Sequence, residues 1–191
     1  LDLDKRNTEQ KISEFVKKTA QYDIALFFYA GHGIQVAGEN YIVPVDAKVT
    51  DTSSVDFELV NIELITKYLS DNKRVGIALL DACRDNPFTR SLSRALGNRS
   101  SQVSSGLANL KSDEGGLLIA FSTSPGSVAE DGEGSRNSPF TSALLKHLGT
   151  KGLEIELLMK RVKADVYEMT KGTQQPWHNS ALRTEVYLAG D

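Results

Sequence analysis

An α/β fold with a mainly parallel central sheet, flanked by helices on both faces, follows from three features of this sequence. Three short apolar runs, Ile24–Tyr29, Val75–Leu80 and Gly116–Phe121, are each bounded by turn-forming or polar residues. That is the pattern of strands buried on both faces of a sheet. Segments with helical apolar spacing alternate with these runs, which is the signature of a parallel sheet with helices packed against it. No internal repeat and no linker divides the chain, so its 191 residues are expected to form a single domain.

The elements read in order. From Thr8, the spacing of Ile12, Phe15 and Val16 on a Lys/Glu-rich background predicts an amphipathic helix to about Ala20. The first apolar strand follows and is ended by Gly31-His32-Gly33. Residues Ile34 to Val43, with Gly38-Glu39-Asn40 in the middle, read as a hairpin. A helix is predicted over Ile62–Leu69, before the second strand, which ends in Asp81-Ala82-Cys83-Arg84-Asp85. Residues 86–114 are rich in Ser, Arg, Asn and Gly and show little periodicity, so a long flexible loop is expected there. After the third strand, Ser138-Pro139 starts a helix to about Leu148, with Ser as N-cap and Pro in the first turn. Ile155, Leu158, Met159, Val162, Val166 and Met169 give a further helix, and Thr184–Leu188 a final short strand.

Charge and cysteine content exclude several functions. With 22 basic and 25 acidic residues the formal charge is −3, which argues against a nucleic-acid surface, since phosphate binding needs clustered positive charge. No apolar run approaches the roughly 20 residues of a membrane span, so no membrane partner is expected. One cysteine forbids an intrachain disulfide, and with three histidines it is a thin supply for structural zinc. The chain opens without Met or a signal-like segment, and its first residues already look mid-fold, so further residues are expected upstream. A thiol nucleophile suits a reducing cytoplasm.

Two strands end in chemically loaded turns, Tyr29-Ala30-Gly31-His32-Gly33 and Asp81-Ala82-Cys83-Arg84. Ligands of open parallel sheets bind outside the carboxyl ends of the strands. If the two strands are neighbours, His32 and Cys83 share one rim. A thiol of ordinary pKa near ~8.5 is only a few per cent ionised at neutral pH, and an adjacent imidazole can accept its proton. The same imidazole can then protonate a departing amine, a role worth roughly 10²–10⁴-fold. Gly31 and Gly33, lacking Cβ, let the backbone bend and let an N–H approach a substrate carbonyl.

These residues carry a family resemblance. Tyr-Ala-Gly-His-Gly after one hydrophobic strand and Asp-Ala-Cys-Arg-Asp-Asn-Pro after another resemble the caspase-type cysteine peptidases, in particular their bacterial, metacaspase-like relatives. Ser122-Thr123-Ser124-Pro125-Gly126-Ser127, Asn137-Ser138-Pro139-Phe140-Thr141 and Gln174-Gln175-Pro176-Trp177 resemble later parts of that domain. The resemblance implies a three-layer caspase-like fold, Cys83 as nucleophile, His32 as acid/base, and an oxyanion hole from the N–H groups of Gly33 and Cys83. It also implies an apolar strand and helix ahead of the present first residue. The position two before the nucleophile lines the specificity pocket of this family; a glutamine in animal caspases, it is Asp81 here. A buried carboxylate there favours Arg or Lys at P1, since breaking such a charge pair costs about 2–5 kcal/mol. Asp131 is a second candidate for the pocket and Glu130 a third.

The expected function is therefore a cysteine endopeptidase cleaving after Arg or Lys, with protein or peptide substrates and no cofactor. Self-cleavage is expected in the 86–114 loop, at Arg94 or Arg99. The alternative is a catalytically silent caspase-fold module used for interaction, against which the presence of both His32 and Cys83 argues. Asp51, Asp56 and Glu58 are candidates for a calcium site of the kind some metacaspases carry, although calcium needs six to eight oxygens. His147, in the last turn of a predicted helix, reads as structural, and His178, beside Trp177, as a packing or surface residue. Oligomeric state is not legible.

Overall fold

In the computed structural model, which describes residues 2–70, 74–82, 103–105, 107, 115–125, 127–132 and 134–190, the expected helices and the three apolar strands are recognisable. The chain runs α1 (Lys5–Thr19), β1 (Ile24–Ala30), β2 (Gly33–Val36), β3 (Glu39–Ile42), α2 (Val55–Glu58), β4 (Val60–Asn61) and α3 (Ile62–Leu69). It continues β5 (Val75–Asp81), β6 (Val103–Ser105), β7 (Leu117–Phe121), α4 (Pro139–His147), α5 (Ile155–Met169) and β8 (Trp177–Ser180).

Side-chain oxygens start the long helices by taking otherwise orphaned N–H groups. Asp4 accepts from Asn7 N at 2.7 Å, Asn61 from Glu63 N at 2.7 Å, Ser138 from Thr141 N at 3.0 Å and Glu154 from Glu156 N at 2.8 Å. Lys17 and Lys18 close α1 where the helix dipole favours cations.

The central sheet has the order β1-β5-β7-β8. β1, β5 and β7 are parallel, and β8 joins antiparallel beside β7. Every residue of β7 and nearly every residue of β5 is buried, as unbroken apolar runs demand. One face, with Phe27, Ala78, Leu80, Ile119 and Phe121, packs under Ile12 and Phe15 of α1 and Ile62, Ile65 and Leu69 of α3. The other, with Ile77, Leu79, Leu118 and Ala120, packs against Phe140 and Leu144 of α4 and Leu158, Val162 and Val166 of α5. This is the three-layer arrangement expected. β1 is the outer strand among those described, and Ile24 and Phe28 are exposed, Phe28 at 45%.

A second, antiparallel sheet of order β4-β3-β2-β6 stands on the loop after β1 and covers Ile34, Tyr41, Val49, Val55 and Leu59. Its hairpin turns at Ala37-Gly38, with φ of 53° and 92°, one step before the expected centre. Positive φ at both positions matches strand twist in a two-residue turn.

Two expectations need correction. The segment 86–114 is not wholly loop: Val103–Ser105 pairs with β2 as β6, and Leu107 is buried in the core. A three-residue edge strand in Ser-rich surroundings leaves too short a pattern to read. Arg90, Arg94, Arg99 and Lys111 lie outside the described residues, and with them the expected cleavage sites. The last sheet strand is Trp177–Ser180 and not Thr184–Leu188. In the latter, Val186 and Leu188 contribute to the core, but the backbone makes one bridge, between Tyr187 and Glu154. Its alternation is real, yet it serves to dock the chain on the start of α5, where Ile155 N donates to Val186 O at 2.9 Å. Among the described residues no helix is long and apolar enough to cross a membrane.

Gly76 fixes the distance between α3 and the sheet. A Cβ there would fall on the Leu69 carbonyl, the last residue of α3. Overpacking against backbone costs typically 1–3 kcal/mol. Gly76→Ala should therefore lower unfolding free energy by about that amount, measured as a shift of the urea midpoint at unchanged slope.

Candidate active site

β1 and β5 pair in parallel with Ala30 opposite Asp81. Gly31 N then donates to Asp81 O at 3.1 Å, carrying the ladder one residue past the paired strands. His32 and Cys83 each stand two positions beyond the Ala30–Asp81 couple. Cys83 itself lies outside the described residues; its predecessor Ala82 is fully buried and touches the other arm of the site. A Cβ on Gly33 would meet the Ala82 carbonyl, and at 3.0 Å the Leu107 side chain. Neither Gly31 nor Gly33 has a positive φ. Close approach of two backbones, and not a sharp bend, is what requires glycine at Gly33.

His32 is exposed, and its imidazole has no hydrogen-bond partner among the described residues. Its backbone is fixed. The Tyr29 hydroxyl donates to His32 O at 3.0 Å, and Val43 N, just past β3, donates to the same carbonyl at 3.0 Å. Tyr29 lies so close over Gly31 that a Cβ there would strike its hydroxyl. The imidazole is thus solvent-accessible on an anchored peptide.

Asp81 is fully buried at the end of β5. The hydroxyls of Ser138 and Thr141 both donate to its Oδ2, Thr141 at 2.7 Å. Ser138 Oγ also accepts from Thr141 N, so one hydroxyl caps α4 and holds the carboxylate at that helix's positive end. Next to Asp81 across the sheet comes Ser122, whose N donates to Leu80 O at 3.0 Å. The hydroxyls of Ser122 and Thr123 are buried and have no partner among the described residues, a condition that costs roughly 1–3 kcal/mol per group unless something else meets them.

Glu130 and Asp131 are exposed in the loop between β7 and α4. The Glu130 carboxylate accepts from the Thr173 hydroxyl at 2.6 Å, and its N–H donates to Gln174 Oε1 at 2.9 Å. Gly132, at φ 72°, lies against the backbone of Asn137 and Ser138. Asp131 is therefore carried beside the residue that holds Asp81. Sequence reasoning named Asp81 and Asp131 but missed their supports: Ser138 read as a helix cap only, and nothing marked Thr141, Tyr29 or Gln174 as site residues.

The remaining candidates go elsewhere. Asp51 caps its own turn, accepting from Ser53 N at 2.8 Å and Ser54 N at 3.0 Å, and the Ser53 hydroxyl leads the contacts that pull its pKa below the ordinary value. Asp56 accepts from the Tyr41 hydroxyl at 3.1 Å and Glu58 from Lys48 N at 2.8 Å. These carboxylates serve separate partners, and among the described residues no three His, Cys, Asp or Glu side chains converge as a metal site would need. His147 meets Asp165 at 2.8 Å across α4 and α5, and Lys146, at 2.8 Å from the same oxygen, is the main cause of the lowered Asp165 pKa. His178 sits half-buried on β8, and burial pushes its pKa down.

Ser138→Ala removes a helix cap and one of the two hydroxyls on a buried carboxylate. It should cost about 1–3 kcal/mol in urea unfolding, with most of that recovered by Ser138→Thr.

Comparison with known proteins gives the family and the fold. No curated protein sequence matches the chain. The crystal structure of caspase-1 from Spodoptera frugiperda resembles it in fold at a TM-score of 0.63 and 16% identity, over 100% of this chain and 73% of that one. The model of the caspase domain matches residues 1–187. With two parallel strands delivering His32 and the residue before Cys83 to one rim, and a family match over almost its entire length, the chain belongs to the caspase-domain family of peptidases.

Proposed function

We propose that this chain is a cysteine endopeptidase that cleaves after Arg or Lys, with Cys83 as nucleophile and His32 as its acid/base. The observation that carries the reading is the Ala30–Asp81 register, from which both residues follow at equal distance, together with the Gly33–Ala82 approach. His32 takes the thiol proton, and the thiolate attacks the scissile carbonyl carbon. Charge develops on the carbonyl oxygen, which the N–H groups of Gly33 and Cys83 receive. Collapse expels the amine, which leaves with the proton from His32, and a thioester remains. Water, deprotonated by the same imidazole, then releases the acid and restores the thiol.

Selection of a basic P1 residue is assigned to Asp81, supported by Asp131. An ordered carboxylate is worth more to a cation than a mobile one, because its orientation cost is already met on folding. The hydroxyls of Ser138 and Thr141 supply that order. A basic preference would also let the enzyme cut its own 86–114 segment, at Arg94 or Arg99.

Three measurements test this. Cys83→Ala should abolish turnover with folding intact, and His32→Ala should lower it by about 10²–10⁴-fold. A thiol-directed inhibitor carrying arginine should label Cys83 much faster than one carrying aspartate, and Asp81→Asn should narrow that ratio by at least about tenfold. Equal labelling by both inhibitors would sink the pocket assignment and leave the peptidase reading standing. Intact-mass analysis of active protein should find a break after Arg94 or Arg99; full activity in an uncut chain would refute self-processing.

A further inference from the structure

We infer that Gln174 is the positioning residue that holds the specificity loop against the central sheet, so that it sets how a basic P1 side chain is received. The inference rests on the pocket reading above and deepens it.

Gln174 is fully buried, just past the end of α5. Its own N–H donates to the Thr170 hydroxyl at 3.1 Å, and that hydroxyl donates to Val166 O at 2.8 Å. The side chain therefore springs from a fixed point on α5. Its Nε2 donates to Ser122 O at 2.7 Å, and its Oε1 accepts from Glu130 N at 2.9 Å. One amide thus joins the residue beside Asp81 to the residue before Asp131. Its orientation is not a matter of choice: both partners are backbone groups of fixed polarity, and a flipped amide would set donor against donor and acceptor against acceptor. The Thr173 hydroxyl, adjacent in sequence, holds the Glu130 carboxylate at 2.6 Å. The loop is consequently pinned at Ser122 and at Glu130 by consecutive residues of one segment. An apolar replacement would leave the buried Ser122 carbonyl and the part-buried Glu130 N–H unmet, and the loop would move to find water.

Two variants and two readouts test it. Gln174→Leu should raise KM for arginine peptides by about tenfold with kcat nearly unchanged, and should speed amide exchange at Glu130 while α4 and α5 stay protected. Gln174→Glu keeps both bonds while its carboxyl is protonated, since the acid offers one donor and one acceptor. Burial raises the pKa of such a carboxyl, so the variant should match wild type at the acid end of the working range. Its KM should climb relative to wild type as pH passes that pKa, while kcat and the exchange protection of α4 and α5 hold, which general loosening of the fold would not give. If Gln174→Leu fails to fold, the pH dependence of Gln174→Glu carries the test alone. Wild-type KM and arginine preference in Gln174→Glu at every pH, with the parent enzyme active, would overturn this inference and spare the peptidase reading. A parent enzyme that cleaves no arginine peptide would overturn both.

Discussion

The site depends on one steric constraint: the backbone entering β2 must touch the backbone leaving β5. Gly33 leans on the Ala82 carbonyl without room for a methyl group, and the Gly31–Asp81 hydrogen bond fixes the approach one step earlier. Parallel strands offer evenly spaced bonds and a constant offset. A register set by Ile24–Ala30 against Val75–Asp81 is therefore carried on to Gly31 and to the Gly33–Ala82 contact. The apolar runs that fill the core also decide which side chains face the rim, because a slip of one residue would turn every side chain to the wrong face.

The second feature is economy in the polar supports. A buried carboxylate is costly unless hydrogen-bonded. Here two donors among the described residues come from the first turn of α4, where Ser138 is already needed as a cap. Helix formation and charge placement thus use the same hydroxyl. Tyr29 acts similarly on the other arm: its ring packs against the core while its hydroxyl secures the His32 peptide.

Much of this was legible in the residues. Buried parallel strands announce themselves through unbroken runs such as Leu117–Phe121, and Ser138-Pro139 marks a helix start by a local rule. The rim position of His32 follows from the strand that precedes it. What escaped was non-local. Ser138 and Asp81 are distant in sequence, so their contact has no periodic signature, and Gln174 acts through backbone groups whose identity no side chain reveals. β8 was missed because Trp177-His178-Asn179-Ser180 has little apolar alternation and forms by pairing with an already built neighbour. Thr184–Leu188 misled because alternation reports which face is buried, and not whether the backbone joins a ladder.

The outer position of β1 has a consequence for handling the protein. Ile24 and Phe28 stand in water on a strand whose far side meets no other described strand. Such an edge is a template for intermolecular pairing. Where nothing else covers that edge, two chains can pair along it, and refolding yield then falls as concentration rises.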